Sequence, residues 1–535
     1  MNNSIKPFYD VIISGAGPCG ITMANMLGMH NISTLIIDRE ADILMLPRAV
    51  GMCDEGSRIL DSAGVFEAEN IDMKEISKIF FDNKNSESVF HYDTRKKING
   101  YSMQRTFHQP ALERSLRHAL LRFECIQLAT STELIAFDDG EDGITVRLNR
   151  GDEQLSVAAR YLVAADGASS PIRKQLGIAF DGATYTQDWL IIDIANNPVI
   201  SDDVHFSIDP ARPGITLPLP GGRRRWEFVV KEGDTEESLY SDEVLERLLS
   251  PWGDFREMEI ERKAIYSFHA RTALRYRQGN VFLAGDAAHI TPPFAGQGMM
   301  AGLRDAYNLS WKLAAVVNRQ VRPEILDSYD AERHPHSRQI INFAKAIGSI
   351  VLPQSRIKVW LRNTFIWLAT LVGFYSKENG ARMSKIPNHI NGGLLRHLFI
   401  SVFKGTGVWF PQHKLTYRGD TRRSDASMDP TFYVVGWNNN PEGALDETTR
   451  ARWQRLGGKF LTIGDDESAG THFDTDGEFA SYFRKKTIAV LRPDRVVTVR
   501  CKETNLIKQL NHYLNEISIA GENVPPLQGS LSETH

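Results

Sequence analysis

Short apolar runs, several of them closed by glycine or aspartate, recur along the chain and predict its elements. Asp10–Ser14 is a β-type run, followed by Gly15-Ala-Gly-Pro-Cys-Gly20 and a helical pattern over Ile21–Met29. Ser33–Ile37 is a second apolar strand that closes on Asp38, so this stretch reads as a compact β-α-β unit. Tyr161–Ala165 predicts a buried strand running into Asp166-Gly167, and Val281–Ala284 another running into Gly285-Asp286. Between them, Trp189–Ile194, Val204–Ile208, Thr216–Leu219 and Trp226–Val230 read as an antiparallel sheet, with Pro220-Gly-Gly222 as a hairpin turn. A helix is expected from Gln297 to about Val317, with Leu303, Ala306, Leu309 and Leu313 near one face. Residues from roughly 335 to 400 are expected to be mainly helical. Beyond Gly405 the chain turns polar. It then resolves into strands at Lys459–Ile463, Thr487–Leu491 and Val496–Val499 and a helix near 503–517, a separate small α/β domain.

Composition narrows the class without naming a chemistry. At 535 residues the chain is too long for one core and suggests about three domains. Charge is nearly balanced, 62 basic against 66 acidic residues for a net −4, so no basic excess points to nucleic acid or an anionic membrane. Cys19, Cys53, Cys125 and Cys501 lie far apart, without metal-ligand or dithiol spacing. The N-terminal residues lack the apolar core of a signal peptide. The most apolar later stretch, about Val359–Phe374, carries Arg362 and Asn363 and is short for a bilayer. The expectation is a cytoplasmic protein with no nucleic-acid partner and no integral membrane association. A shallow membrane contact through that stretch is left open.

In Gly15-x-Gly17-x-x-Gly20 each glycine has its own task. The first permits the tight turn out of the strand, the second lets a diphosphate approach the backbone, and the third allows close helix–sheet packing. Asp38, with Arg39 beside it, stands near the spacing of an acid that accepts hydrogen bonds from an adenosine ribose. This motif alone does not separate FAD from NAD.

Two further motifs do. Asp166-Gly-Ala-Ser-Ser-Pro-Ile-Arg173 and Gly285-Asp-Ala-Ala-His289 each follow an apolar strand. With them the sequence resembles the group A flavoprotein aromatic hydroxylases, and most closely the branch acting on hydroxyphenylpropionate-like acids. The likeness covers roughly residues 8–400. It implies that Asp286 meets the ribityl chain of FAD and that Asp166, Gly167 and Arg173 serve FAD and the nicotinamide nucleotide. It implies further that Arg48 in Pro47-Arg-Ala-Val-Gly51 contacts the diphosphate, that Gln109 contacts FAD, and that Pro292–Gly298, with Pro293, Gly296, Gln297 and Gly298, lines the flavin ring. Asp286 has an alternative reading as a helix cap, and His289 reads better as a packed or capping histidine than as a base. Where the family usually has Asn, this chain has Met300, whose side chain cannot hydrogen-bond near the flavin.

The resemblance implies an α/β architecture. Its parts are a Rossmann-like FAD-binding domain (1–185 and 270–345), an inserted antiparallel-sheet substrate domain (186–269), a helical segment (346–404) and a thioredoxin-like C-terminal domain (405–535) without a CxxC. It also implies the reaction: NADH or NADPH reduces FAD, O2 adds to give a flavin C4a-hydroperoxide, and one oxygen passes to a phenolic ring. His205, Arg212 and Trp226 are then candidates for the substrate pocket, and Arg223-Arg-Arg225 reads as a solvated hairpin. No metal site and no catalytic triad is expected. Which nicotinamide is used, and whether the protein is a homodimer, are left open. Two rivals stand beside the hydroxylase: a flavin reductase or dehydrogenase of the same fold without oxygen transfer, and a non-catalytic flavin-binding protein.

Overall fold

The computed structural model describes residues 4–45, 47–65, 72–83, 87–141, 143–352, 356–371, 390, 394, 406–466, 471–517 and 519–521. The chain forms two compact units: Met1–Tyr307 with Arg333–Asn388, and Asn308–Glu332 with His389–His535.

In the first unit, β1 (Phe8–Ser14), helix α1 (Pro18–Met29) and β2 (Thr34–Ile37) form the expected β-α-β unit. Helices α2 (Asp54–Ser62) and α3 (Gln109–Ala119) follow, along with a hairpin of β3 (Lys78–Asp82) and β4 (Ser88–Asp93). One sheet runs in the order β5 (Ile126–Ala129), β2, β1, β8 (Glu153–Ala164), β7 (Gly143–Arg150), β6 (Thr132–Gly140). The last three residues of β8 also carry β14 (Val281–Leu283). β5, β2, β1, β8 and β14 are all parallel, and Val11, Ile12, Ile13, Leu35, Ile36, Leu162 and Val163 are buried, as a sheet covered on both faces requires.

The second sheet contains β9 (Phe180–Ile194), β10 (Val204–Ser207), β11 (Gly214–Pro218), β12 (Arg224–Val229) and β13 (Ile260–Ala273). Its order is β15 (His289–Ile290), β13, β9, β12, β11, β10, β3, β4. The Pro220-Gly-Gly222 turn closes as expected, with Gly221 and Gly222 at φ +69° and +75°. The sheet is antiparallel from β13 to β10, but β10 takes β3 as a parallel neighbour. The hairpin β3–β4 thus extends a sheet placed by sequence wholly within 186–269. Helix α4 (Asp242–Leu249) covers one face through Leu245 and Leu249. Helices α5 (Gly298–Val317), α6 (Asp327–Val351) and α7 (Arg356–Leu371) continue the chain, and much of the expected helical segment beyond α7 lies outside the described residues. Among the described residues no helix is long and apolar enough to cross a membrane.

In the second unit a seven-stranded sheet runs β17 (Asp420–Arg423), β16 (Lys414–Tyr417), β20 (His472–Asp474), β19 (Lys459–Gly464), β18 (Tyr433–Trp437), β21 (Ile488–Leu491), β22 (Val497–Cys501). β18 and β19 are parallel and joined through α8 (Glu447–Arg455), while β21 and β22 are antiparallel and lead into α9 (Leu506–Glu516). This β-α-β then β-β-α order is the thioredoxin-like arrangement. The connection from β18 to α8 holds no cysteine, so dithiol chemistry has no nucleophile there. Asn308–Glu332, which sequence alone assigned to the FAD-binding domain, groups with this unit because its charges are buried here. Lys312 and Arg492 each bind Glu332, at 3.0 and 2.8 Å.

Candidate active site

Four parallel strands end level with one another. Ser14 stands opposite Ile37 and Ala164, and Ala164 opposite Leu283. The loops that begin at Gly15, Asp38, Asp166 and Gly285 therefore emerge side by side at the carboxyl edge of the sheet, where open α/β folds bind ligands. Backbone hydrogen bonds carry the alignment one residue further: Gly15 N–H donates to the Ile37 carbonyl (2.8 Å), Ala165 N–H to Ser14 (2.8 Å) and Ala284 N–H to Ala164 (2.9 Å).

The glycines of the first loop are forced by contact. Gly15 has φ +106°, and a Cβ there would lie 2.3 Å from the Ala165 carbonyl oxygen. A Cβ on Gly20 would lie 2.0 Å from the Gly15 carbonyl oxygen, so α1 reaches the sheet only with glycine at that point. At Gly17, Gly167 and Gly296 a Cβ would meet nothing within 4 Å. Gly17 is also the N-cap of α1, so its open side adjoins the positive end of a helix dipole.

The polar groups converge on the same place. One Asp38 oxygen accepts the Ala16 N–H (2.7 Å) and the other the Glu40 N–H (2.9 Å). Arg39 is largely exposed and pairs with Glu40 at 3.2 Å. The Gln109 side-chain oxygen accepts the N–H groups of Arg48 and Ala49 (2.8 Å each), while its amide donates to Glu113 (2.8 Å). Gln109 thus acts on this loop as a clamp, an arrangement that needs the folded chain to be seen. Arg173 ties two motifs together, donating to the carbonyls of Ala168 (2.8 Å) and Ala287 (2.8 Å).

Two carboxylates in this cluster lack partners. Both Asp166 oxygens are buried and make no hydrogen bond of normal geometry among the described residues, although the Ser170 hydroxyl and the Ile172 N–H lie close enough to favour the charged form. Burial raises the Asp166 carboxyl above the usual range, with the Ser170 hydroxyl, nearby backbone N–H groups and Arg173 opposing. Asp286 lies in the short helical turn Gly285–Ala287 and makes no cap, so its alternative reading as a helix cap is set aside. Its side chain is reachable by solvent, yet the surrounding protein raises its carboxyl against the pull of His289 and Arg48. His289 is structural, as the sequence suggests: its Nε2 meets Asp305 at 2.6 Å with both side chains fully buried. Asp305 also accepts from Gly285 N–H (3.0 Å) and Arg333 (2.8 Å).

The Pro292–Gly298 wall is braced from behind. Pro293–Ala295 is a helical turn ending in Gly296 at φ +61°. Buried Gln297 accepts from Arg304 (3.0 Å), which in turn binds Glu55 (2.6 Å). Gly298 begins α5. Met300 is fully buried and sits over Gly56 of α2, where a Cβ would come within 2.2 Å of its Sδ.

The pocket candidates are placed elsewhere. Trp226 is fully buried in the core that Leu239, Leu245 and Leu249 build on the outer face of the second sheet. His205 shares that face, since both residues stand opposite Thr216 on β11, and it binds Asp82 at 2.7 Å. Arg212 pairs with Asp234 at 3.0 Å. The structure brings none of the three to the motif loops. In β12 a step of one residue changes the face. Arg225, Glu227 and Val229 are the residues that point inward: Arg225 donates to the Pro47 carbonyl (3.0 Å), next to Arg48, and Val229 packs with Trp189 and Phe294. The solvated-hairpin reading of Arg223-Arg-Arg225 is likewise corrected, because Arg224 and Arg225 are fully buried. The missed signal was a charge in an apolar strand: Asp193 binds Arg225 at 2.6 Å.

These residues fit FAD. Buried acceptors without donors and open glycine peptides at aligned strand ends are what a ribityl and diphosphate chain would complete. Residues 8–344 match the family described as "FAD binding domain", and residues 407–516 match the "HcaD C-terminal domain". A "3-(3-hydroxy-phenyl)propionate/3-hydroxycinnamic acid hydroxylase" of Burkholderia cenocepacia (strain HI2424) is 34% identical over 92% of this chain and 93% of its own length. The protein of the same name from Klebsiella pneumoniae (strain 342) is 34% identical over 97% of this chain and 96% of its own length. Among solved structures, the flavin-dependent monooxygenase PieE, in complex with FAD and substrate, matches with a TM-score of 0.79 at 20% identity, covering 96% of this chain and 100% of that one. The chain belongs to the FAD-binding-domain family, within which it is a FAD-dependent aromatic hydroxylase.

Proposed function

We propose that the protein hydroxylates a phenolic acid of the hydroxyphenylpropionate or hydroxycinnamate type, with NADH or NADPH as reductant and O2 as oxygen source. The observation that carries this reading is the cluster of unpaired carboxylates and open glycine peptides at four aligned strand ends. The printed names of the two relatives support the substrate class. The four free thiols support a reducing, cytoplasmic setting.

FAD, when bound, supplies the electron transfer and the oxygen chemistry. The chain's residues hold it. Gly15, Gly17 and Gly20 let its diphosphate approach the N-terminus of α1, with Arg48 adding charge from the loop that Gln109 clamps. Asp38 keeps acceptor capacity for a ribose after taking the Ala16 N–H. Asp286 accepts from the sugar-alcohol chain, Asp166 and Gly167 serve the adjoining edge, and Gly285 gives them a close backbone. Pro293, Gly296, Gln297 and Gly298 form the ring-side wall, stiffened through Arg304 and Glu55. Arg39, already paired with Glu40, contributes charge at most. The inward face of the second sheet receives the ring and excludes water.

The test is direct. Purified protein is expected to be yellow and to oxidise NADH or NADPH faster when 3-(3-hydroxyphenyl)propionate or 3-hydroxycinnamate is added, with product heavier by one oxygen atom. Accelerated oxidation that yields only peroxide with every phenol tried would favour the reductase instead.

A further inference from the structure

On the inward face of β12, Glu227 lies between Arg225 and Val229, and these two neighbours mark what it faces. Arg225 reaches Pro47, beside Arg48, and Val229 packs against Phe294 of the ring-side wall. By the alternation of a strand, the Glu227 carboxyl opens on the space between those two loops. Its opposite neighbours are apolar, Ile191 on β9 and Ile215 on β11. The other charges on this face are committed. Asp193 takes Arg225 at 2.6 and 2.8 Å, Arg262 lies 3.7 Å from Asp193 and donates to Pro47 (2.8 Å), and Tyr266 is engaged by Arg262. Glu227 accepts no hydrogen bond among the described residues, and its one ion contact is Arg225 at 3.9 Å. Its side chain is 13% exposed, which leaves a path to solvent.

We propose that Glu227 is the base that takes the proton from the substrate's phenolic hydroxyl. The inference rests on the hydroxylase reading above. The phenol O–H bond breaks as the carboxylate O–H bond forms, the phenolate becomes the electron-rich ring, and the carboxyl returns its proton to solvent through its exposed edge. The surroundings suit the task. Burial and the nearby Asp193 raise the Glu227 carboxyl, Arg225 and Arg262 oppose that rise, and the group is poised nearer neutrality than an ordinary glutamate. A structural carboxylate would use its lone pairs on the two arginines; Asp193 already does so.

The experiment compares wild type with Glu227→Gln and Glu227→Asp as holoenzymes, using 3-(3-hydroxyphenyl)propionate and an analogue made more acidic by fluorine beside the hydroxyl. Oxidised enzyme without nicotinamide is titrated with the phenol, and the bound ring's ultraviolet difference spectrum is followed against pH. Because a carboxylate beside the ring opposes its ionisation, the phenolate should appear in Glu227→Gln at a pH no higher than in wild type, and the base should show itself in the rate of turnover instead. In turnover, wild type should lose activity on the acid side as the carboxyl protonates. Glu227→Gln should lack that limb and be slower by about 100-fold, with the loss shrinking for the acidic analogue, and Glu227→Asp should keep the limb. Equal turnover rates and the same pH profile in wild type and Glu227→Gln, both retaining FAD, would overturn the assignment while leaving the hydroxylase reading intact. A wild type that oxygenates no phenol would bring down both.

Discussion

The strand-end cluster of the first unit and the ionic knot of the second are both rich in buried charge, and they treat it in opposite ways. In the knot every charge is matched. Lys312 binds Asn308 (2.8 Å) and Glu332 (3.0 Å), and Arg492 binds Glu332 (2.8 Å) and Asp494 (2.9 Å). In the cluster the buried Asp166 oxygens make no hydrogen bond of normal geometry among the described residues, and Asp286 makes no ion pair. A buried charge costs stability unless it is paired. Full pairing therefore marks structure, and a buried acceptor without a donor marks the place of a ligand.

Breaking the knot should have the largest effect. Glu332→Ala leaves Lys312 and Arg492 buried without their shared anion, and urea unfolding should show a loss of about 3–5 kcal/mol. Gly20→Ala should come next, costing about 1–3 kcal/mol in the same assay together with FAD retention, because its Cβ would meet the Gly15 carbonyl oxygen at 2.0 Å.

The two carboxylates should also respond oppositely to pH. Burial alone would raise Glu332, but Arg492 and Lys312 overcome it and hold the carboxyl at about 2. Its contribution is thus complete above the ordinary glutamate range and lost as pH falls towards about 2. Asp166 is raised by burial, so the protein without FAD gains stability from its protonated form at low pH and loses that gain as pH rises through the folded pKa. Asp166→Asn should accordingly leave the FAD-free protein as stable or more stable near neutral pH, while lowering FAD affinity. Thermal melts across pH, with and without FAD, check both slopes. The smallest effect belongs to Arg39→Ala: an exposed pair with Glu40 should change the melting temperature within experimental scatter.

What could be read before folding follows the reach of each interaction. Gly20 and Asp38 were legible because their constraints act within one β-α-β unit, and Gly15 through its motif spacing, although the close contact that forces it is with Ala165 outside that unit. Asp166 and Gly285 were legible because each follows a strand that the parallel sheet buries. Trp226 and His205 were misplaced because an aromatic in a strand announces burial but not which face is buried, and the packing of α4 onto the sheet decides that. The β3–β4 hairpin joined an unexpected sheet through a parallel pairing of residues far apart in the chain. Met300 needed Gly56, and the Gln109 clamp needed the Arg48 loop.

The most direct measurement is equilibrium FAD binding to FAD-free protein, followed by flavin fluorescence, for wild type and Asp286→Ala. The expected result is unchanged melting of the FAD-free protein with FAD held at least about tenfold more weakly, the value of a hydrogen bond to a charged acceptor. Equal affinity in a folded variant would contradict the claim that the aligned loops at Gly15, Asp166 and Gly285 grip one flavin nucleotide.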